Sequence, residues 1–248
     1  MIAYINDQLT KLKTYQASSM LTKLFSKKIK SIPSSPSDLP YYTHLRAFEN
    51  QNRILHRNDI YGGGPPSHVA SVETTALIKK YCRGSILDIG CGVGAYMNEL
   101  NKFGFKCTGI EYNLQYVEKC QSQGLVVKHM NVEKLNFGDN SFDTVLMIEV
   151  LEHVEDPQQA LMEAFRVSKL NIIISVPNID VLPIMSKYQV VPWHLLEATH
   201  VNFFTPVILD NLLKKISAKT TVQTYGQFAP WVEEQIIHMH ILGVIHKI

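Results

Sequence analysis

Three groups of residues in this chain have the types and spacing to do chemistry. The first is Leu87-Asp88-Ile89-Gly90-Cys91-Gly92-Val93-Gly94, where an apolar run ends in an acid and alternate glycines. Such glycines let the backbone turn tightly and bring a ligand against the main chain at a helix N-terminus. A turn that closes a strand also lies where open α/β sheets bind their ligands, which favours a nucleotide-type ligand. The spacing departs from the dinucleotide fingerprint Gly-x-Gly-x-x-Gly, and no Gly-Lys-Ser/Thr follows to make a phosphate loop. Asp88, just ahead of the turn, would repel a pyrophosphate and suits a cationic or hydroxyl-rich ligand.

The second group is Gly109-Ile110-Glu111. An acid at a strand end, about 20 residues beyond such glycines, can accept hydrogen bonds from both ribose hydroxyls. The alternative is a solvated Glu111 that caps the next helix. The third group is Glu149-Val-Leu-Glu152-His153, with Thr199-His200-Val-Asn-Phe-Phe-Thr205 further on. Glu149, Glu152 and His153 could meet one divalent ion if the backbone turns there, and His200 could be a fourth ligand. His194, His238, His240 and His246 read as structural or surface residues.

The elements that must position these groups follow from hydrophobic periodicity. Short apolar runs predict strands at Ser85–Ile89, Lys106–Ile110, Leu125–His129, Phe142–Ile148, Leu170–Val176, Thr220–Tyr225 and Ile236–His246. Between them, helices are expected at Val93–Phe103, Leu114–Gln123, Pro157–Val167 and Pro206–Ile216, with one more at His68–Tyr81. Strands alternating with helices imply βαβ units and a mainly parallel sheet, ending here in an antiparallel hairpin. Residues 177–205 form a long insertion rich in Pro, His, Trp and Phe, and loops of that length are usually functional. Residues 1–66 read as a helical extension, interrupted at 31–40 by a linker with three prolines and four serines.

Composition removes several classes. With 46% hydrophobic and 19% charged residues, the chain is neither disordered nor a supercharged nucleic-acid binder. The net charge of +2 hides a split, since residues 1–60 hold nine basic residues against four acidic ones. The remainder is slightly acidic and carries no basic stripe, which argues against a large RNA or DNA surface. Four cysteines without paired metal spacing, and no apolar leader, read as reduced thiols in a cytoplasmic protein.

The motif Leu87-Asp-Ile-Gly-Cys-Gly-x-Gly94, followed by Gly109-Ile-Glu111 and Asn140-Ser-Phe-Asp-Thr-Val145, resembles the class I S-adenosylmethionine-dependent methyltransferases. His240-Ile-Leu-Gly-Val-Ile-His-Lys247 resembles their last strand, so the likeness covers roughly residues 67–248. It implies a Rossmann-like, doubly wound seven-stranded sheet of order 3-2-1-4-5-7-6 with the last strand antiparallel. It also implies that the main chain near Gly90 and Gly92 cradles the methionine part of the cofactor. Glu111 would hold the ribose and Tyr112 would lie against the adenine. Asp88, Cys91, Gly94, Val132 and Glu149 would complete the cofactor-binding set. Relatives commonly place an Asp against the adenine amino group, where this chain has Asn131, whose side-chain oxygen can still accept.

Two branches of that family use the same Glu-x-x-Glu-His string to bind magnesium or a similar ion. One methylates polyprenyl catechols in ubiquinone biosynthesis, and the other methylates the 2′-hydroxyl at the 3′ end of small RNAs. The implied metal set is Glu149, Glu152, His153 and His200, with Mg²⁺ as the candidate ion. In other members of the family the string only orients its loop by hydrogen bonds. Methyl transfer from a sulfonium is an in-line displacement, so the protein must align the acceptor and remove its proton when needed. His153 and His200 are the candidate catalytic bases for a hydroxyl acceptor.

The apolar insertion, together with Tyr41, Tyr42 and Tyr61, could line a pocket for a small apolar or aromatic acceptor, or could be a lid that packs on the sheet. The expected function is methyl transfer to such a molecule at oxygen. N- or S-methylation, small-RNA 2′-O-methylation and a non-catalytic cofactor-binding partner subunit are the alternatives. The basic extension is read as a cap over the cofactor, with a peripheral membrane anchor or a mitochondrial presequence as the other readings.

Overall fold

In β1 (Ser85–Ile89) and β4 (Phe142–Ile148), neighbouring residues bury on opposite sides of the sheet. Ile86, Leu146 and Ile148 join one apolar cluster, whereas Leu87, Ile89, Val145 and Met147 join another. A strand buried on both faces needs helices on both, and this is what the chain supplies. The computed structural model of the chain describes residues 69–187, 195, 197, 199–228 and 237–247. The extension, its linker, Tyr41, Tyr42, Tyr61 and His194 lie outside the described residues.

The remaining strands are β2 (Lys106–Glu111), β3 (Val127–His129), β5 (Ser168–Pro177), β6 (Thr220–Phe228) and β7 (Ile237–His246). They form one seven-stranded sheet in the order β3-β2-β1-β4-β5-β7-β6. β1 to β5 pair in parallel, and β7 runs antiparallel to both β5 and β6. The Rossmann-like order implied by the motifs is therefore the observed one.

Helices α1 (Val72–Tyr81), α2 (Ala95–Lys102) and α3 (Leu114–Ser122) bury Ile78, Met97, Leu100, Val117 and Cys120 on the Ile86 side. α4 (Pro157–Val167) packs Leu161 and Ala164 on the Leu87 side. α5 (Leu182–Lys187) lies in the insertion, and α6 (Pro206–Lys214) packs Leu209 and Leu213 beside α4's residues. Two helix starts are set by the same local chemistry. Asp156 accepts from the Gln159 N–H ahead of Pro157, and Thr205 accepts from the Ile208 N–H ahead of Pro206. Each such cap contributes on the order of 1 kcal/mol.

Several boundaries differ from those read in the sequence. α2 begins at Ala95 rather than Val93, because Gly94 adopts a left-handed φ of 80° as its N-cap. β3 begins at Val127 rather than Leu125, whose N–H is used to close α3 on the Cys120 carbonyl. The insertion starts and ends at one place: Asn178 bridges Phe204, and the Ile179 N–H bonds the Phe204 carbonyl at 3.0 Å. Its first described part is a 3-10 turn, Ile179–Val181, running into α5. Among the described residues no helix is long and apolar enough to cross a membrane.

Candidate active site

The carboxyl end of β1 delivers the chain into Gly90, Cys91 and Gly92, and both glycines have positive φ, 65° and 53°. A side chain at Gly90 would strike Val150 Cγ2 at 2.7 Å, so the turn packs hard against the residues after β4. A Cβ on Gly92, by contrast, would meet nothing within 4 Å among the described residues, which leave an open cradle in front of that amide. Glu111, at the end of β2, spans the turn. Its Oε2 accepts the Gly92 N–H at 2.9 Å and its Oε1 accepts the Asn113 N–H at 2.8 Å. Asn113 in turn caps α3. Glu111 thus supports the start of α3 and at the same time orders the glycine loop.

Asp88 is 2% exposed, and among the described residues its Oδ2 has no hydrogen-bond partner. Burial, with the charge of Glu111 added, pushes its carboxyl up to about 7. A buried orphan acceptor behind an open cradle is what a bound polar ligand would satisfy. Cys91 and Cys120 lie beneath the loop, their sulfurs 3.9 and 3.3 Å from the Gly92 carbonyl, and burial pushes both thiols up. Tyr112 is 71% exposed, with its ring 5.7 Å from that of His129. The Asn131 side-chain oxygen accepts the Glu133 N–H at 2.8 Å, so one of its two lone pairs is already engaged. Val132 packs at the edge of the core beside it.

The Glu-x-x-Glu-His string splits in two. Glu149 is held in a left-handed conformation, φ 56°, with its N–H on the Ser175 carbonyl. Its Oε1 accepts the Ser175 hydroxyl at 2.5 Å and faces His240 Nδ1 at 3.3 Å. Tyr225 bonds Ser175 Oγ at 2.6 Å and stacks on the His240 ring, with centroids 5.3 Å apart. Burial pushes the His240 ring down, but the charge and bond of Glu149 outweigh it and its pKa is raised. His240, read in the sequence as a structural or surface residue, is partly buried against Glu149 and Tyr225. Ser175 and Tyr225 carried no signal in the sequence at all.

Glu152, His153 and His200 form the other half. One ligand atom from each lies within 4.8 Å of the others, and Glu149 is not part of this group. Of the four metal ligands expected from the sequence, three are grouped here, while the Glu149 carboxylate bonds Ser175 and faces His240. Glu152 is 1% exposed, and among the described residues neither carboxyl oxygen has a hydrogen-bond partner. Burial, and then the charge of Glu149, push its pKa well above the usual range.

His153 is oriented by a chain that fixes its tautomer. Thr199 Oγ1 donates to Glu197 Oε1 at 3.0 Å, and so receives the His153 Nδ1–H at 2.9 Å; the Thr199 carbonyl accepts from the same nitrogen at 3.2 Å. The lone pair is then on Nε2, which points toward Glu152 Oε1 at 3.9 Å. Burial lowers the ring's pKa against the bond to Thr199 and the charges of Glu197 and Glu149, so the imidazole is neutral at pH 7. The His200 ring meets that of His153 edge-on at 4.6 Å. Two imidazoles with one buried carboxyl fit an ion that accepts nitrogen ligands, such as Zn²⁺ or Fe²⁺. Mg²⁺, named from the sequence, prefers oxygen throughout.

A parallel sheet with a glycine-rich turn after β1 and an acid after β2 defines a Rossmann-like domain built for a nucleoside-bearing cofactor. The comparisons with known proteins make that more specific. Residues 87–174 match the family model described as a methyltransferase domain. Norajmaline N-methyltransferase of Rauvolfia serpentina is 37% identical over 95 residues, which is 34% of this chain and 32% of that protein. The ubiquinone biosynthesis O-methyltransferase of Methylococcus capsulatus is 31% identical over 90 residues, 34% of this chain and 38% of that protein. The chain thus spans roughly a third of the length of these relatives. A solved S-adenosylmethionine-dependent methyltransferase from Archaeoglobus fulgidus shares the fold, with a TM-score of 0.59, 15% identity, and coverage of 71% of this chain and 93% of that one. Residues 87–174 are thus similar to a methyltransferase domain, and the sheet has the fold of solved S-adenosylmethionine-dependent methyltransferases.

Proposed function

We propose that this chain is an enzyme that transfers the methyl group of S-adenosylmethionine to an oxygen of a small apolar or aromatic molecule. The observation that carries the choice of oxygen is the His153 tautomer. A neutral imidazole with its Nε2 lone pair fixed by Thr199 and Glu197 suits removal of a hydroxyl proton. Gly90, Gly92 and Asp88 would hold the amino-acid part of the cofactor, and Glu111 the ribose. When bound, the cofactor supplies an electrophilic methyl and takes up the electron pair of the broken carbon–sulfur bond. His153 accepts the acceptor's proton as the new oxygen–carbon bond forms and later releases it to water. The apolar composition of the insertion and the half-buried His153 ring suit a molecule with little charge. In this reading the partner is a small acceptor in solution rather than a nucleic acid.

A metal-assisted version of the same reaction is favoured by the Glu152–His153–His200 grouping. These residues would hold the ion, which would lower the acceptor's pKa and leave His153 a ligand instead of a base. Nitrogen acceptors are kept in view by relatives that bear the name N-methyltransferase. The test is a radiolabelled methyl-transfer screen over catechols, amines, thiols and small RNA, run with added Zn²⁺, Mg²⁺ or EDTA. Labelling of catechols confirms the oxygen reading, and labelling confined to amines or RNA overturns it. Tight cofactor binding with no transfer to any acceptor identifies a non-catalytic partner subunit.

A further inference from the structure

The turn that carries Glu152 and His153 is gripped by one short segment at the end of the insertion. Within residues 199–202, Thr199 meets the His153 ring at Nδ1, and the His200 ring packs edge-on against the same imidazole. The Val201 and Asn202 N–H groups both donate to the Glu152 carbonyl, at 2.8 and 3.1 Å. The Asn202 side-chain amide then donates to the Leu151 carbonyl at 3.0 Å and to the Val154 carbonyl at 2.6 Å. Those two carbonyls stand on either side of Glu152 and His153. The Leu151 and Val154 side chains are buried in the Leu87-side core. The backbone flanking His153 is thus fixed from the core by its side chains and from the insertion by Asn202. Two residues on, Phe204 bridges Asn178, so the gripping segment is itself anchored at the base of the insertion. The chemistry of position 202 is specific, because a side chain facing two carbonyl oxygens must supply two protons. An aspartate of the same shape would set a carboxylate against both of them.

We propose that Asn202 is a positioning residue for His153, clamping the Leu151 and Val154 carbonyls so that the imidazole is held where Nδ1 bonds Thr199. In this role Asn202 acts through the backbone of the turn and not by contact with a ligand. Once the clamp is lost, the turn is free to carry the ring away from Thr199. An imidazole released from that bond can hold its proton on Nε2 instead, the nitrogen that must be unprotonated to act as a base. The cost therefore falls on the chemical step, through orientation and tautomer, rather than on cofactor affinity.

The proposal deepens the reading of His153 as the base, and its test has one arm that does not depend on that reading. Nitrogen–proton correlation spectra of the full chain, labelled in its histidines, report which ring nitrogen carries the proton, and His153→Gln identifies the signal. His153 is expected to be protonated at Nδ1 in the unmodified chain, and at Nε2 or at both in turn in Asn202→Asp and Asn202→Ala. Toward a hydroxyl acceptor, kcat should fall about tenfold in both, while the Kd for S-adenosylmethionine changes less than about twofold. Asn202→Ser, which keeps one donor, should fall between and holds the test open should the other variants misfold. In a Thr199→Val background, Asn202→Ala should cost little more, because both act on one ring. An Nδ1 proton unchanged in the folded variants, or kcat and cofactor affinity falling together, overturns the proposal. So does an Nε2 proton in the unmodified chain. A tautomer that shifts as expected, in a protein that methylates no hydroxyl, supports the clamp and overturns the reading of His153 as the base.

Discussion

Glu111 Oε2 accepts the Gly92 N–H at 2.9 Å, joining the end of β2 to the middle of the glycine turn. That single bond ties the two motifs most legible in the sequence into one cradle. It also explains why Glu111 has two neighbours to support, since its other oxygen holds the Asn113 N–H. Losing the carboxylate would untie the loop and, in the proposed reading, take away the ribose ligand in the same stroke.

Asp88 gives the domain an unusual pH response. Its carboxyl is ordinarily near 3.8 and stands at about 7 in the folded chain, so the folded state holds a proton that the unfolded state gives up first. Stability from this group is complete below about pH 4 and is lost as pH rises toward 7. Asp88→Asn should therefore stabilise the cofactor-free protein at pH 8 by about 2 kcal/mol, and leave it nearly unchanged at pH 4. Thermal unfolding at the two pH values checks this, and equal shifts at both would contradict it.

Thr199 sets the tautomer of His153. Thr199→Val keeps the shape and removes the hydroxyl, leaving only the 3.2 Å carbonyl contact on Nδ1. The expected result is a fall in kcat of about tenfold or more toward a hydroxyl acceptor, with cofactor affinity intact and recovery in Thr199→Ser. Steady-state kinetics beside calorimetry reads both.

Glu152, His153 and His200 should bind Zn²⁺ measurably if the grouping is a metal site. Elemental analysis of the purified protein and titration with Zn²⁺ should show about one ion per chain. His200→Ala should abolish it and Glu149→Gln should not, because Glu149 lies outside the group. Full activity after EDTA, with no bound ion, would leave His153 as the base.

Much of the scaffold was legible because period-two burial and left-handed glycines leave marks in composition. Gly90, Gly92 and Gly94 sit at positive φ, and no other residue type tolerates that cheaply. The split of the Glu-x-x-Glu-His string was not legible, since it turns on one non-glycine residue, Glu149, at φ 56°. Nor was the Ser175–Tyr225–His240 group. Its bonds join residues 26 and 50 positions apart, brought together by the pairing of β4 with β5 and by the β5-β7-β6 order of the sheet. Pairings of that kind are made by topology, and no local pattern announces them.

The account stands most directly on cofactor binding at the Glu111–Gly92 junction. Calorimetric titration with S-adenosylmethionine should give a single site in the unmodified chain. Glu111→Ala should weaken it beyond detection. Gly92→Val, which forces a branched side chain onto a φ of 53° in front of the cradle, should do the same. Normal binding in both variants would contradict the account.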